Sequence, residues 1–182
     1  MDNGAGSYRR FLDGDESAFE EIMKELFPAL VFFLCRYVRN VTVAEDLAVD
    51  AFTELLVHRH RYNFKTSLKT YLFLIGKSRA LDYLRRQKSI VFTDLSETDE
   101  LAEEKLLEER VWEDERKQRV HQALKQLPEE MRVAVHLIYF EQMSYAQVAT
   151  ILKKTRKQVD NLLYRAKKEL RTVLEEDGEE WL

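Results

Sequence analysis

Apolar residues return every three or four positions along most of this chain, and the places where that rhythm stops divide it into helices. The first stripe begins near Asp15, with Phe19, Ile22, Met23, Leu26 and Phe27 on one face. Before it, Met1 to Arg10 is small and polar and predicts a frayed end. Pro28 has no N–H to donate, so a break or kink is expected there before the stripe resumes through Leu30, Val31, Phe33, Leu34, Tyr37 and Val38. Cys35 sits beside this stripe and reads as a small core residue. Thr42 and Glu45 form a capping box that opens a helix from Val43 to about Val57, with Leu47, Ala51, Phe52 and Leu55 as its apolar positions. Asp46, Asp50 and Glu54 run along a neighbouring edge, which is either a solvated face or a surface for a basic partner.

His58 to Lys65 is basic and aromatic, lacks helical spacing and predicts a loop. A long helix from Ser67 to Gln87 comes next, with Leu68, Tyr71, Leu72, Ile75, Leu81 and Leu84 inside and Lys69, Lys77, Arg79, Arg85 and Arg86 outside. Tyr62, Phe64, Tyr71 and Phe73 lie close to these cations. Unpaired bases stack on rings while cations neutralise phosphates, so the mixture suits single-stranded nucleic acid. A core of aromatics under a snorkelling basic face accounts for Tyr71 but not for Phe64 or the basic loop.

Periodicity is lost from Ile90 to Asp99, and Leu101 to Arg119 is acidic, with Leu106, Leu107, Val111 and Trp112 as candidate helix contacts. A helix from Val120 to Leu127 stops before Pro128, which opens the next at a first-turn position succeeded by Glu129 and Glu130. Val133 to Phe140 packs that helix against the last two helices of the chain, and the tail beyond Val173 is acidic and solvated.

From Ser144 to Val173 the pattern is two helices around a very short turn. Ser144 with Gln147, and Thr155 with Gln158, are both S/T-x-x-Q capping boxes, separated by Leu152-Lys153-Lys154. This is the length of a helix-turn-helix. Val159, Leu163, Ala166 and Leu170 form a buried stripe, leaving Lys157, Asn161, Tyr164, Arg165 and Lys168 on the opposite face. Cations, an amide and a phenol are the groups that meet phosphates and base edges, although a basic face can also be merely solvated.

Composition narrows the choices. Five Gly and two Pro in 182 residues argue against an all-β fold, and an apolar fraction of 45% is enough for a packed core. The fold expected is all-α: two small helical domains, residues 1–89 and 118–182, joined by a flexible acidic linker, 90–117, with the helix-turn-helix in the second. No uncharged apolar run reaches membrane-spanning length, and MDNGAGSYRR lacks a signal-peptide core, so a cytoplasmic protein without membrane insertion is expected. One cysteine and four scattered histidines make no disulfide and no metal-ligand set, and no cofactor is expected. An enzyme is disfavoured, since no Gly-rich phosphate loop or nucleophile motif is present.

The net charge of −4 conceals a segregation of sign. Arg59 to Lys88 is basic against Asp82 alone, Lys153 to Arg171 is basic, and Asp94 to Glu115 between them is acidic. Two basic patches split by an acidic connector point to two contacts on one polyanion.

Three stretches then carry a resemblance to bacterial RNA polymerase sigma factors of the extracytoplasmic-function group. AEDLAVDAF, Ala44 to Phe52, is similar to that family's second conserved region, and SLKTYLFLIGKSRALDYLRR, Ser67 to Arg86, to its promoter-melting helix. LPEEMRVAVHLIYFEQMSYAQVATIL with VDNLLYRAKKELR resembles the fourth conserved region. The resemblance implies that Asp46, Asp50, Phe52 and Leu55 face the clamp helices of the largest subunit of core polymerase. It places Phe64, Lys77, Arg79, Asp82 and Arg85 near the melted −10 strand. Lys157, Gln158, Asn161, Tyr164, Arg165 and Lys168 would meet the −35 duplex, with the polymerase flap and an anti-sigma factor as further partners.

The chain also departs from the family. Lys153 stands where a turn glycine is frequent, so a left-handed backbone there is expected to be strained; Asp160-Asn161-Leu162 replaces a frequent Lys-Ser-Arg, and Tyr71 replaces a common Trp. Two other readings compete: a stand-alone helix-turn-helix regulator, and a helical adaptor that binds polymerase without reading promoters. The first leaves the basic loop and acidic linker without a role.

Overall fold

The computed structural model describes residues 4–90 and 115–176, and among them there are helices and no strand. The chain divides into two compact units, Met1–Leu106 and Leu107–Leu182. The expected linker, with Leu106, Leu107, Val111 and Trp112, lies almost wholly outside the described residues, as does the tail beyond residue 176.

The first unit holds α1 (Ala5–Leu12), α2 (Ser17–Val38), α3 (Val41–Val57), a single 3-10 turn (Arg59–Arg61) and α4 (Leu68–Ile90). Helix α2 packs against the other three, and α3 packs against α4. Ile22, Leu26, Leu30, Phe33 and Leu34 of α2 meet Leu55 of α3 and Leu68, Leu72 and Phe73 of α4 in a closed core. Each such side chain contributes roughly 1.5–3 kcal/mol by leaving water. Gly76 of α4 lets α2 come close, since a Cβ there would stand 2.9 Å from Leu30 Cδ1.

Several expectations need correction. Residues 5–12 are not frayed but form α1, because Tyr8 and Phe11 bury their rings against the rest of the unit. The Tyr8 hydroxyl reaches the carbonyls of Leu55 (3.2 Å) and Arg59 (2.9 Å), fixing α1 to the end of α3. Pro28 does not break α2, which runs unbroken from Ser17 to Val38. Helix α3 starts two residues early: Asn40, whose Oδ1 accepts from the Val43 N–H at 3.0 Å, is the cap in place of Thr42. On α4, Leu81 is exposed although the pattern places it inside, and Phe73, whose burial the pattern leaves open, is fully buried.

The second unit holds α5 (Glu115–Gln126), α6 (Glu129–Val135), a π-helical turn (His136–Phe140), α7 (Tyr145–Leu152) and α8 (Arg156–Glu176). Pro128 caps α6 from outside and is not its first residue. Val133 to Leu137 is buried as expected, but Tyr139 and Phe140 turn out to solvent. Helices α5, α6 and α7 all pack on α8, and Val159, Leu163 and Ala166 of α8 close the core against Met131, Leu137, Val148 and Ile151.

Candidate nucleic-acid interface

The helix-turn-helix forms where the two capping boxes place it. Ser144 Oγ accepts from the Gln147 N–H at 3.3 Å while Gln147 Oε1 accepts from the Ser144 N–H at 2.7 Å. The pair Thr155 and Gln158 does the same at 3.2 and 2.7 Å. Between them Lys153 takes the left-handed conformation (φ 56°), and the Lys154 N–H bonds back to the Ala149 carbonyl at 2.9 Å. This six-to-one bond turns the chain sharply after α7, so α8 starts almost at once in a new direction.

Burial of one side of α8 leaves Lys157, Asn161, Tyr164, Arg165 and Lys168 exposed together on the other, with Tyr164 71% exposed. A large ring is held in water there with no core contact to explain it. Gln158 is also exposed, but its carbonyl oxygen serves the helix cap, leaving only its amide nitrogen for a ligand. Arg165 and Lys168 share a shallow cleft with Gln126, Leu127 and Thr172.

In the first unit the expected residues separate into three groups. Phe64 lies half-buried beside Tyr62 (ring centroids 4.6 Å) and Tyr8 (6.3 Å), and Tyr62 continues to Tyr71 (5.2 Å). Phe64 has φ 60°, rare for a bulky side chain, and the preceding Asn63 supports the turn by accepting from the Lys65 N–H at 3.1 Å. The pKa of the Tyr8 hydroxyl beneath this cluster is pushed up to about 12, chiefly by burial.

Later along α4 the charges pair. Arg79 Nη2 lies 2.6 Å from Glu54 Oε2 of α3, which raises the pKa of the guanidinium, and Arg85 lies 3.3 Å from Asp82. Lys77 is half-buried on the same helix. Phe64 is therefore grouped with aromatics at the start of α4, apart from Arg79, Asp82 and Arg85. Arg79 is engaged inside the protein and does not stand as an open cation.

On α3, Asp46 and Asp50 are exposed, but Phe52 and Leu55 are 2% and 1% exposed. Their placement on a contact face is corrected: both belong to the core. The face that α3 does present combines Asp46 and Asp50 with Val49, Leu56 and Val57, three apolar side chains in water. Continuing from Asp46 by helical steps of three and four would have found Val49 and, one turn beyond Thr53, Leu56 and Val57. Among the described residues no metal-ligand cluster is present, and no helix is long and apolar enough to cross a membrane.

A helix-turn-helix in one unit and an aromatic, basic loop in the other are the two surfaces whose chemistry suits nucleic acid. Comparison with known proteins makes the class specific. Residues 9–90 match sigma-70 region 2, and residues 117–170 match sigma-70 region 4. The chain is 24% identical over 169 residues to the RNA polymerase sigma factor YlaC of Bacillus subtilis (strain 168), covering 90% of this chain and 95% of that protein. It is 26% identical over 171 residues to the ECF RNA polymerase sigma factor SigW of the same organism, covering 88% and 91%. A solved sigma factor RpoE from Bartonella quintana, in complex with the anti-sigma factor NepR, shares the fold with a TM-score of 0.63 at 20% identity, over 86% of this chain and 96% of that one. The chain belongs to the sigma-70 family, in its extracytoplasmic-function (ECF) group. As an alternative sigma factor it directs core RNA polymerase to specific promoters and starts transcription through −35 duplex recognition and −10 strand opening. A stand-alone regulator or an adaptor without promoter reading leaves one of the two matched regions without a role.

Proposed function

We propose a division of this work among three surfaces. The exposed face of α3, with Asp46 and Asp50 beside Val49, Leu56 and Val57, docks on the clamp helices of core polymerase. Alternating acid and apolar side chains fit a partner helix with a basic edge. The loop carrying Phe64 takes a base from the melted −10 strand, with Lys77 and Arg85 along the phosphates. Arg79, held on Glu54, serves as a brace between α3 and α4, and Asp82 orients Arg85. In the second unit, the first turns of α8 enter the −35 major groove, where Lys157, Asn161, Tyr164 and Arg165 reach base edges and Lys168 a phosphate. Gln158 contributes through its amide nitrogen alone.

The observation that carries this reading is the exposed row on α8, complete with an aromatic ring in water, on a helix whose opposite side is core. Residues 1–89 and 118–182 are proposed as the two working domains, and the polymerase flap as the partner of the second. The protein adds no catalytic chemistry of its own and acts in the cytoplasm with the polymerase. An anti-sigma factor is a further proposed partner, supported by the complex in which the similar RpoE was solved. Selection of promoters from a randomised library by the protein with core polymerase tests the division. Phe64→Ala should lose preference within the −10 element and keep it at −35. Loss of preference at −35 instead would refute the assignment.

A further inference from the structure

We propose that Arg9 is part of the single-strand site and binds a backbone phosphate next to the base taken up at Phe64. The inference rests on the reading of the Phe64 loop given above and adds a residue from a helix that the sequence pattern does not reveal. Arg9 is exposed, and its guanidinium carbon lies over the Phe64 ring, 4.9 Å from the centroid. It is held there by its neighbour: Tyr8 is fully buried and bonded to the Arg59 carbonyl, so α1 cannot slide away from the loop. The ring stack orients the cation but uses none of its five N–H donors. Among the described residues no carboxylate or carbonyl engages them.

Neighbouring arginines show that this is not the rule for the surface. Arg10 is closed between Asp15 (2.6 Å) and Glu21 (2.9 Å), and Arg79 is closed on Glu54 (2.6 Å). Arg59, Arg61 and Lys65 are exposed around the same loop and raise the local positive charge. A planar cation fixed on an aromatic ring, with its donors facing water in a basic rim, is matched to an anionic oxygen pair of one phosphate. The Phe64 ring is held beneath it by Tyr62 (ring centroids 4.6 Å) and Tyr8 (6.3 Å), contacts that also sustain its backbone at φ 60°.

The test uses the full chain bound to core polymerase and a labelled single strand, about 12 nucleotides long, carrying the −10 sequence that the wild-type holoenzyme selects. Binding is measured across a salt series for wild type, Arg9→Gln, Arg9→Lys and Phe64→Ala. One phosphate contact on a single strand contributes about 0.7 to the slope of log affinity against log salt, which corresponds to about 5-fold at 0.1 M salt. Arg9→Gln should lower the slope by that amount and weaken binding about 5-fold at 0.1 M. Arg9→Lys should keep the slope, since the charge remains, while losing some affinity with the planar stack. Weaker binding by Arg9→Gln at an unchanged slope would mean a structural role and overturn the proposal. Wild-type behaviour of Arg9→Gln beside a weakened Phe64→Ala overturns it too and leaves the loop assignment standing. If neither variant differs from wild type, the loop is not the single-strand site and both readings fall.

Discussion

Tyr8 shows how much one buried hydroxyl contributes to the first unit. It joins α1 to the carbonyls of Leu55 and Arg59, and its neutral form is favoured by burial, with a pKa of about 12. Tyr8→Phe should cost about 1–2 kcal/mol, because two carbonyls lose a donor while the ring still packs. The pH dependence has a definite sign. An unfolded tyrosine ionises near pH 10, so the stabilisation is complete below that value and is lost as pH rises through about 12. Urea unfolding of wild type and Tyr8→Phe between about pH 8 and pH 12 checks it: the difference between the two should shrink at high pH, and a constant gap would reject the assignment. Lys153 offers a second case. Its left-handed backbone (φ 56°) costs a lysine about 1–2 kcal/mol, whereas glycine loses about 0.5–1 in chain entropy. Lys153→Gly should therefore stabilise the second unit by up to about 1 kcal/mol, and Lys153→Val should destabilise it, both read from thermal unfolding.

At the scale of the helices, the partners proposed above fall on α3 and α8. Asp50→Arg reverses a charge on the exposed face of α3 without opening a cavity, so circular dichroism should be unchanged while capture of core polymerase falls several-fold. Capture at the wild-type level would remove α3 from the interface. On α8, Arg165 and Lys168 should differ although both are exposed cations in one cleft. Arg165→Ala should relax preference at one −35 base pair by about 1–3 kcal/mol. Lys168→Ala should weaken all promoters alike and reduce the salt slope by about one counterion. Single-base −35 substitutions assayed with the holoenzyme at several salt concentrations separate the two.

These two helices also show what the sequence made legible. The start of α8 and its two faces could be read directly, because Thr155 and Gln158 cap it locally and its apolar stripe is narrow. Helix α3 was harder. Its buried stripe of Leu47, Ala51, Phe52 and Leu55 was legible from spacing, but the family resemblance also set Phe52 and Leu55 on the contact face. The exposed Val49, Leu56 and Val57 went unread because apolar residues occur all round the helix. Helix α1 was hidden for another reason. It is eight residues long and begins after a left-handed Gly4, and what holds it is Tyr8 bonding across 47 and 51 positions of chain. Local propensity carries no record of such contacts.

For the whole molecule, charge and partition decide behaviour. The net charge of −4 and the acidic segment from Asp94 to Glu115 oppose binding of the free chain to DNA. Gel shifts with the free protein at physiological salt should show no specific complex on a promoter that the holoenzyme binds tightly. Tight specific binding by the free chain would favour a regulator that works alone.

The central claim is that strand opening and duplex reading lie on different units of one chain. Permanganate footprinting of the holoenzyme on a selected promoter tests it most directly, with nuclease protection read on the same samples. Wild type should make the −10 thymines reactive and protect −35. Phe64→Ala should abolish that reactivity and retain the −35 protection. Reactivity at the wild-type level in Phe64→Ala, or loss of the −35 protection along with it, would contradict the account.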